Sequence, residues 1–569
     1  MPQDAITLAK TANELNAILQ GAKINKINHP VQDELLFNLY SKNQTYRLRF
    51  CINAVGARVG FTDIERKNPS TPSGFCMLLR KHLLSATIKS INTIQDERII
   101  RIAFDGKNDF LEPIEKQLYC EIMGKYSNLI FCENEIILGT MKTSALEIGK
   151  ERALLCGVKY ALPKSQGKIS IYNREESLKT ISNFNGGDLA EYLFNCFQGF
   201  SIATSREVVF RFFNCYLFEN SLEKTGDFYE FVLDFINQAS NRPIVIKSLD
   251  KFVDFCFCDY KSISGEKIFF DSLLDAEKYF FDSKQTVREF NDIKNKLTSV
   301  VNAKLKKEEK KLQIIEEKTL ACENAEEERK RGELITANIY KIRKGDKTVI
   351  VDDYYNDNAP LKIALDEQLS PNANAQRYFK KYAKLKNTIK AITPQKEQAI
   401  SECEYLKSVL AELNIANTIK DLLEIEDELK QAGLIKSEQS VKSSKKDEKI
   451  NYRLFEYGGY KILAGKNNLQ NDKLTFSAKP SDIWLHTKDY HSAHVIIQSS
   501  SSHLPNEILQ IAAEICAYYS EAKTGDKVPV DYTQRKYVKK PPKSKYGAVI
   551  YTDYKTVFVT PNSHSNLEI

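Results

Sequence analysis

The sequence predicts a multidomain α/β and α-helical protein, and three observations carry that prediction. The chain has 569 residues, which is enough for about three to five domains. Short runs of alternating apolar and polar residues occur toward both ends and predict β-strands. Between residues 281 and 434, apolar residues recur at heptad spacing and predict two long helices.

Residues 1–172 are predicted to form an N-terminal α/β domain. A first helix with an apolar face is expected to end at Gly21. Residues 75–85 predict a second, short helix. Five runs with β-branched or aromatic alternation predict strands, at residues 35–40, 46–54, 98–104, 118–123 and 128–134.

Residues 173–280 are predicted to be mostly helical. Gly186-Gly187 and Gly199 separate short amphipathic segments. This pattern resembles helix-hairpin-helix units, which often bind nucleic-acid backbones. Ordinary packing of short helices explains the same pattern, so both interpretations stay open at this point.

A long antiparallel coiled coil with a small β tip is predicted over residues 281–434. Pro394 lies inside the second helix and predicts a kink or a helix start. The tip, at about residues 333–371, contains Gly345-Asp346 between two β-rich runs, which predicts a turn there. The apolar seam of the second helix consists of Tyr378, Tyr382, Leu385, Ile389, Ile392, Ala399, Cys403, Leu406, Leu410 and Leu413.

The C-terminal part of the chain is predicted to fold separately. Residues 435–450 are polar, charged and Ser-rich, which is typical of a flexible linker. Residues 451–569 contain several strand-like runs and one helix-like run. They predict a C-terminal α/β domain.

Missing motifs argue against several classes of function. The sequence contains no GxxxxGK[ST] phosphate loop, so the use of a nucleoside triphosphate is not expected. It also contains no HExxH or GxSxG pattern. No run approaches the roughly 18 apolar residues of a membrane span, and the first residues lack the pattern of a secretory signal. The twelve cysteines contain no CxxC pair. A cytoplasmic protein with reduced thiols is therefore expected.

A basic segment near the C-terminus is the strongest electrostatic feature. The net charge of the chain is only +7, so the distribution of charge has to decide whether a nucleic-acid partner is indicated. Pro541 and Pro542 predict an extended loop that can follow a phosphate backbone. A solvated surface run explains the charges equally well. The cations of residues 535–545 (RKYVKKPPKSK) are Arg535, Lys536, Lys539, Lys540, Lys543 and Lys545.

Two further clusters are candidates for contacts with RNA. Alternation places Trp484, His486 and Lys488 on one face of a predicted strand. Trp484 is expected in the core, whereas His486 and Lys488 suit an RNA backbone. A metal site that also uses His491 and His494 is disfavoured, because no cysteine or second carboxylate cluster lies beside them.

The second cluster is Asp96-Glu97-Arg98, at the start of a predicted strand. Such residues can form an exposed ion pair of little energetic value. They can also recognise RNA, because an arginine presents a fork of donors and a carboxylate accepts from base amines or ribose hydroxyls.

These segments resemble the NFACT family. DIWLHTKDYHSAHVII (482–497) and VPVDYTQRKYVKKPPKSK (528–545) are similar to its C-terminal RNA-binding domain. DERIIRI (96–102) resembles its N-terminal domain, which has a DNA glycosylase-like fold. FQGFS (197–201) resembles its helix-hairpin-helix segment, and LSPNANAQRYFKKYAKLK (369–386) its coiled-coil middle domain.

The resemblance implies a role in ribosome-associated quality control. Members of the family bind a large ribosomal subunit that carries stalled peptidyl-tRNA, and they recruit alanyl-tRNA. The nascent chain gains a C-terminal alanine tail that marks it for degradation. Ribosomal RNA performs peptidyl transfer, so no catalytic residue, cofactor or metal is implied. A monomer on the ribosome, without a membrane partner, is expected.

The resemblance also implies two sets of RNA contacts. Glu97 stands where the family has Asp, and Asp96 is the alternative carboxylate. Tyr490-His491-Ser492 is a second departure, because relatives commonly have Pro-Gly near this turn. The implied tRNA contacts are Asp4, Asp96, Glu97 and Arg98. The implied rRNA contacts are His486, Lys488, Arg535, Lys536, Lys539, Lys540, Lys543 and Lys545.

Two other classes of function remain as alternatives. The family has also been called fibronectin-binding, which describes a surface adhesin, but the expected absence of a signal and the unpatterned cysteines argue against it. A DNA glycosylase is the other alternative, because the chain begins Met-Pro. The acidic residue expected after that proline is Gln3 here.

Overall fold

A computed structural model gives the fold of residues 3–94, 96–107, 113–143, 152–163, 167–218, 222, 224–238, 241–249, 251–436, 452–498, 504–542 and 544–569. The chain divides into two units, Met1–Val287 and Arg288–Ile569. No helix of the described residues is long and apolar enough to cross a membrane.

A nine-stranded sheet forms the N-terminal part of the first unit. Every neighbouring pair is antiparallel, and the strand order is β4-β3-β2-β1-β5-β6-β7-β8-β9. The strands are β1 (Lys23–Val31), β2 (Glu34–Ser41), β3 (Gln44–Cys51), β4 (Arg58–Phe61), β5 (Thr87–Thr93), β6 (Ile99–Lys107), β7 (Pro113–Glu121), β8 (Asn128–Glu133) and β9 (Ile136–Thr140).

Two helices pack against this sheet, α1 (Ala5–Leu19) and α2 (Gly74–Leu83). Leu8 and Leu15 of α1 are fully buried in one apolar cluster with Phe37 and Phe50 of the strands. Burial of such side chains stabilises the fold by about 1.5–3 kcal/mol each. The five predicted strands and both predicted helices are present, and the mixed α/β prediction for this part of the chain is confirmed.

Residues 173–280 contain more strand than the sequence predicts. The helices α3 (Arg174–Ser182), α4 (Leu189–Cys196), α5 (Ile202–Phe213) and α6 (Thr225–Asn237) precede a longer helix that begins at Leu273. Two short strands, β10 (Gly187–Asp188) and β11 (Leu217–Phe218), pair with each other. The mostly helical prediction is wrong for the second half, which forms a three-stranded sheet. Its apolar residues belong to short hairpin strands, β12 (Ile244–Ser248), β13 (Lys251–Cys256) and β14 (Glu266–Phe269).

Long helices dominate the start of the second unit. They are α7 (Leu273–Cys322), which begins before the unit boundary, α8 (Ala325–Ala337), α9 (Pro371–Ile415) and α10 (Ile419–Gln431). Within the second unit, α7 and α9 run antiparallel, because Lys294 reaches the carbonyl of Asn414 and Lys396 pairs with Glu316. The base of this helix pair is closed by a buried apolar cluster.

Two details of the helix pair correct the sequence prediction. The tip is a hairpin of β15 (Thr348–Asp353) and β16 (Ala359–Ala364). The predicted turn at Gly345-Asp346 is present, since the Asp346 N–H donates to the Arg343 carbonyl at 3.2 Å and Gly345 has a φ of +104°, but it precedes both strands instead of joining them. The turn that joins the strands lies at residues 354–358. Asp357 and Asn358 adopt the positive φ values that this turn requires. Helix α9 neither begins nor ends at Pro394 but continues through it, and the residues on either side, Ile392 and Ala399, are buried.

The C-terminal part of the second unit is built on a six-stranded antiparallel sheet of order β17-β18-β20-β19-β21-β24. Helix α12 packs on one side of the sheet. The elements are β17 (Arg453–Tyr457), β18 (Tyr460–Ala464), α11 (Asn468–Ser477), β19 (Ile483–Thr487), β20 (Val495–Gln498), α12 (Asn506–Tyr518), β21 (Val528–Gln534), β22 (Val538–Lys539), β23 (Ile550–Tyr551) and β24 (Lys555–Val559).

Helices α9 and α10 contact this C-terminal part directly. The buried carboxylate of Glu428 accepts from the Tyr405 hydroxyl at 2.8 Å and from the backbone N–H of Leu469 at 3.1 Å. Residues on both sides of the predicted linker therefore share one packed unit. Most of that linker, residues 437–450, lies outside the described residues.

Candidate RNA-binding sites

One cleft in the first unit contains all four residues that were predicted to contact tRNA. Asp4, Asp96, Glu97 and Arg98 line it, and its volume is about 530 Å³. Asp4 precedes α1, and the other three form the turn between β5 and β6. Another wall comes from residues 198–201 of the segment between α4 and α5, which belong to the FQGFS motif.

Asp4 holds two parts of this cleft together. One carboxylate oxygen caps α1 by accepting from the backbone N–H of Thr7 at 2.8 Å. The other accepts from the hydroxyls of Ser201, at 2.9 Å, and Thr204. Asp4 is only 5% exposed. Its observed contacts are therefore structural, whereas its side chain still lines the cleft.

Hydrogen bonds connect the turn that carries Asp96 and Glu97 to two other segments of the first unit. Asp96 has a φ of 59° and its carboxylate accepts from the Ser170 hydroxyl. The Gln198 amide donates to the Glu97 carboxylate at 2.6 Å. Burial raises the pKa of both carboxyl groups above their ordinary values, and these hydrogen bonds lower it in part.

Gly199 is the point at which three segments meet. Its φ is +84°, and a Cβ on this residue would lie 3.2 Å from the Cβ of Ala5 and 3.3 Å from the carbonyl oxygen of Asp96. The Ala5 N–H donates to the Gly199 carbonyl at 3.1 Å. A glycine is therefore required here both for its backbone conformation and for the close approach.

The cleft combines both signs of charge. Asp254 adds a fourth carboxyl group, and burial raises its pKa to about 6. Lys168 adds a cation beside Arg98. Burial and the nearby Arg98 charge lower the pKa of Lys168. A guanidinium can pair with a phosphate, and carboxylates can accept from ribose hydroxyls or base amines, so the lining suits a nucleotide better than a simple anion.

Sequence reasoning assigned no contact to Lys168, Gln198 or Asp254 of this cleft, nor to Ser170, whose hydroxyl donates to Asp96. Gln198 lies within the FQGFS motif, so the resemblance pointed to its neighbourhood without assigning it a contact. The other three lie in segments that carry no recognisable pattern.

In the second unit, the basic segment is less extended than predicted. Residues 535–537 form a 3-10 turn, and β22 pairs with β23. The Arg535 guanidinium donates to the carbonyls of Thr475, at 3.0 Å, and Phe476, at 3.2 Å. The predicted continuous loop is therefore wrong, because Arg535 ties the beginning of the segment to the end of α11.

The cations of this segment differ in their surroundings. Lys536 and Lys539 are exposed. Lys540 pairs with Asp472, and Lys545 pairs with Glu402 at 2.8 Å. Lys543 lies outside the described residues. Lys536 and Lys539 are the members of the set most accessible to a phosphate backbone.

A second cavity, of about 480 Å³, opens between α9 and the C-terminal sheet and is lined by His486 and Lys545. Trp484 lies behind His486 and is fully buried, as predicted, with the two rings parallel and their centroids 5.7 Å apart. Burial lowers the pKa of His486 to about 4. A neutral imidazole offers stacking and hydrogen bonding rather than charge.

Lys488 lies at the end of the same strand. Its backbone N–H donates to the Pro529 carbonyl at 2.9 Å, and its side chain is half-buried. It is not among the residues that line the cavity. Within the described ranges, no three His, Cys, Asp or Glu side chains are grouped so that they could hold a metal ion.

Comparison with known families covers nearly the whole chain. The NFACT N-terminal and middle domains match residues 4–448. The NFACT protein RNA-binding domain matches residues 450–553. The two matches meet within the predicted linker.

Individual relatives extend this comparison. The chain is 33% identical over 569 residues to the Rqc2 homolog RqcH of Bacillus subtilis. This alignment covers 98% of this chain and 97% of that protein. The chain is also 30% identical over 103 residues to the ribosome quality control complex subunit 2 of Saccharomyces cerevisiae, covering 18% of this chain and 10% of that protein. A solved structure, the C-terminal part of a fibronectin/fibrinogen-binding protein from Streptococcus suis, is 33% identical, covers 49% of this chain and 99% of its own, and superposes with a TM-score of 0.40.

Proposed function

Because the chain belongs to the NFACT family, we propose that it acts in ribosome-associated quality control as a tRNA-positioning factor. It binds the large ribosomal subunit that carries stalled peptidyl-tRNA and recruits alanyl-tRNA. The nascent chain then receives a C-terminal alanine tail without a template and is degraded. The Rqc2 and RqcH relatives and the matched RNA-binding domain support the ribosomal part of this proposal.

The observation that carries the tRNA part is the cleft of the first unit. The four residues that were predicted to contact tRNA, Asp4 and residues 96–98, line one cavity together with residues of the FQGFS motif. Its size is within the range of about 300–1,000 Å³ that small-ligand sites occupy. In this proposal Arg98 pairs with a phosphate, and Glu97 or Asp96 accepts from a ribose hydroxyl or a base amine.

The protein positions its substrates and performs no bond chemistry in this proposal. The aminoacyl ester of alanyl-tRNA is already activated, and ribosomal RNA provides the peptidyl-transferase centre. The chain needs no cofactor or nucleoside triphosphate. It works in the cytoplasm as a monomer, and the α7–α9 pair serves as a coiled-coil spacer. Linked weak contacts increase the overall affinity for the subunit.

The test is to purify the tagged chain from stressed cells and to sequence all the RNA that it retains. Large-subunit rRNA together with one dominant alanine tRNA is the expected result. Large-subunit rRNA with a mixture of tRNAs would contradict selection of alanyl-tRNA. The absence of any enriched RNA would contradict the whole proposal.

The adhesin and DNA glycosylase alternatives receive no comparable support. The fibronectin-binding description is given to the Streptococcus suis protein, and no feature of this chain adds to it. Pro2, the residue that motivated the glycosylase alternative, lies outside the described residues. Protease treatment of intact cells tests the adhesin directly, since a surface protein is degraded and an internal one is protected.

A further inference from the structure

The proposed function assigns no role to most of the residues that line the cavity of the second unit. One wall is the C-terminal end of α9, with Tyr405, Ser408 and Glu412. The facing wall comes from the β19–β20 loop and from residues 545–549. All of these residues belong to the second unit.

Two neutral imidazoles form the inner surface. His486 and His494 are perpendicular, with ring centroids 5.5 Å apart. The His494 Nδ1 is hydrogen-bonded to the Thr475 hydroxyl at 2.8 Å. The His486 ring also lines the cavity and has a hydrogen bond with the backbone of Thr487. A neutral imidazole has one donor and one acceptor, as the edge of a nucleobase does, and one ring nitrogen of His494 is already used by Thr475.

The Glu412 carboxyl group adds an unmet hydrogen-bonding capacity. Its Oε2 is inaccessible to water and has no hydrogen-bond partner among the described residues. Burial and the neighbouring Glu428 raise its pKa well above the ordinary value. A neutral carboxylic acid can both donate and accept. Buried polar groups without partners are rare in folded proteins, and this one belongs to a residue of the cavity wall.

The floor of the cavity is rigid. A Cβ at Gly547, where φ is +79°, would lie 2.2 Å from the Asn468 Oδ1. The Gly547 N–H donates to the Asp472 carboxylate at 2.9 Å, and the His494 N–H donates to the Asn471 side chain at 3.0 Å. Because these groups are already held in place, the site does not have to become ordered when a ligand binds, and little affinity is lost for that reason.

The mouth of the cavity presents an aromatic ring and a cation. Tyr490 is 45% exposed on a loop that Thr487 and Ser492 close through a hydrogen bond of 3.1 Å. The Lys545 ammonium lies 5.8 Å from the centre of the buried Tyr405 ring and pairs with Glu402 at 2.8 Å, so a phosphate would have to compete with that carboxylate. An aromatic face with a nearby cation is the combination that RNA-binding domains use for unstacked bases and their phosphates.

We propose that this cavity binds a single unstacked nucleotide of single-stranded RNA, with Tyr490 and His486 contacting the base and Lys545 the phosphate. This inference rests on the proposed function, since it presumes an RNA partner. It goes beyond backbone contacts of the basic segment, because it assigns a site that holds a base.

The single tryptophan of the chain provides the measurement. Trp484 is stacked behind His486, so a base that enters the cavity changes its fluorescence. We would titrate the full chain with five-nucleotide RNAs of each base and follow Trp484 emission together with the anisotropy of a label on the RNA. The same RNA with an abasic central position, and each nucleoside monophosphate, are titrated in parallel.

A saturable change in emission is expected, with binding about tenfold weaker for the abasic RNA. Tyr490→Ala and Lys545→Ala should each weaken binding by a similar factor. Tyr126→Ala, an exposed tyrosine of the first unit, and Lys461→Ala, an exposed lysine of β18, are the matched controls and should bind like the unaltered chain.

Any one of four results would overturn the inference. RNA that binds by anisotropy without changing Trp484 emission, or that binds the abasic form equally well, would exclude a base in the cavity and leave the proposed function intact. A mononucleotide that binds as tightly as the RNA would identify a free nucleotide as the ligand. No binding of any RNA, together with no enriched RNA from cells, would contradict the proposed function as well.

Discussion

The side-chain amide of Gln198 donates a 2.6 Å hydrogen bond to the carboxylate of Glu97. The two residues are 101 positions apart, and the bond connects the β5–β6 turn to the segment between α4 and α5. The carboxylate at the position of the family's Asp is therefore held by the FQGFS motif. The longer Glu side chain reaches this partner, while Asp96 uses Ser170.

Arg98→Ala should reduce tRNA recovery and tail synthesis at least tenfold while large-subunit binding is retained, because a charge-assisted contact to phosphate is worth about 1.5–3 kcal/mol. The measurement is tRNA that co-purifies with the chain, normalised to large-subunit rRNA. Arg101→Ala is the control, since Arg101 pairs with Glu115 and does not line the cleft. Normal tails in the Arg98 variant would refute the assignment.

Asp4→Ala should lower the free energy of unfolding by about 2 kcal/mol, because it removes the helix cap and leaves the Ser201 and Thr204 hydroxyls without their acceptor. Asp4→Asn keeps the cap and should cost about half as much. Urea unfolding followed by circular dichroism is the measurement, since the single tryptophan lies in the other unit. Unchanged unfolding of Asp4→Ala would contradict a structural role.

Replacing Lys536 and Lys539 by Glu should weaken subunit binding and flatten its dependence on salt. Each lost phosphate contact reduces the slope of log K against log salt by about 1. Sedimentation with the large subunit at several salt concentrations measures this. Lys461→Glu is the control, because this exposed lysine lies on β18, away from the basic segment. A slope that is equal in both proteins would show that the segment contacts no phosphate.

The stability of the second unit should fall between about pH 6.5 and about pH 4. Burial lowers the pKa of His486 to about 4 in the folded chain, whereas an unfolded histidine titrates at about 6.5. As the pH falls, the unfolded state binds the proton first and is favoured. The contribution is about 2 kcal/mol at pH 5.

Urea unfolding at pH 7.5 and pH 5, followed by Trp484 fluorescence, tests this expectation. In His486→Gln the loss of stability between the two pH values should be smaller by about 2 kcal/mol. His564→Gln is the matched control, because His564 lies outside the cavity and contacts Glu514. Equal pH dependence in all three proteins would show that His486 titrates normally.

Much of the fold could be predicted from the sequence, since alternation and heptad spacing are local. Strand β1 was missed because register shifts near Ile24 and Asn28 interrupt the alternation of apolar and polar residues. Strand β5 has a similar shift after Ile88. The strands between residues 244 and 269 were missed because short hairpin strands lack a period long enough to recognise. Asp4 was chosen by resemblance and residues 96–98 by their chemistry and by resemblance, and no periodic pattern predicts that they share a cleft.

By itself, the sequence determined the order of most helices and strands, the apolar faces that they bury and the family to which the chain is similar. The tertiary structure alone decided that Asp254 and Lys168 join the cleft, that Lys540 is paired with Asp472 while Lys539 is exposed, and that a cavity opens beside His486. Periodicity reflects contacts between near neighbours in the chain. Cavities and ion pairs form between distant segments, and only the packed chain brings those together.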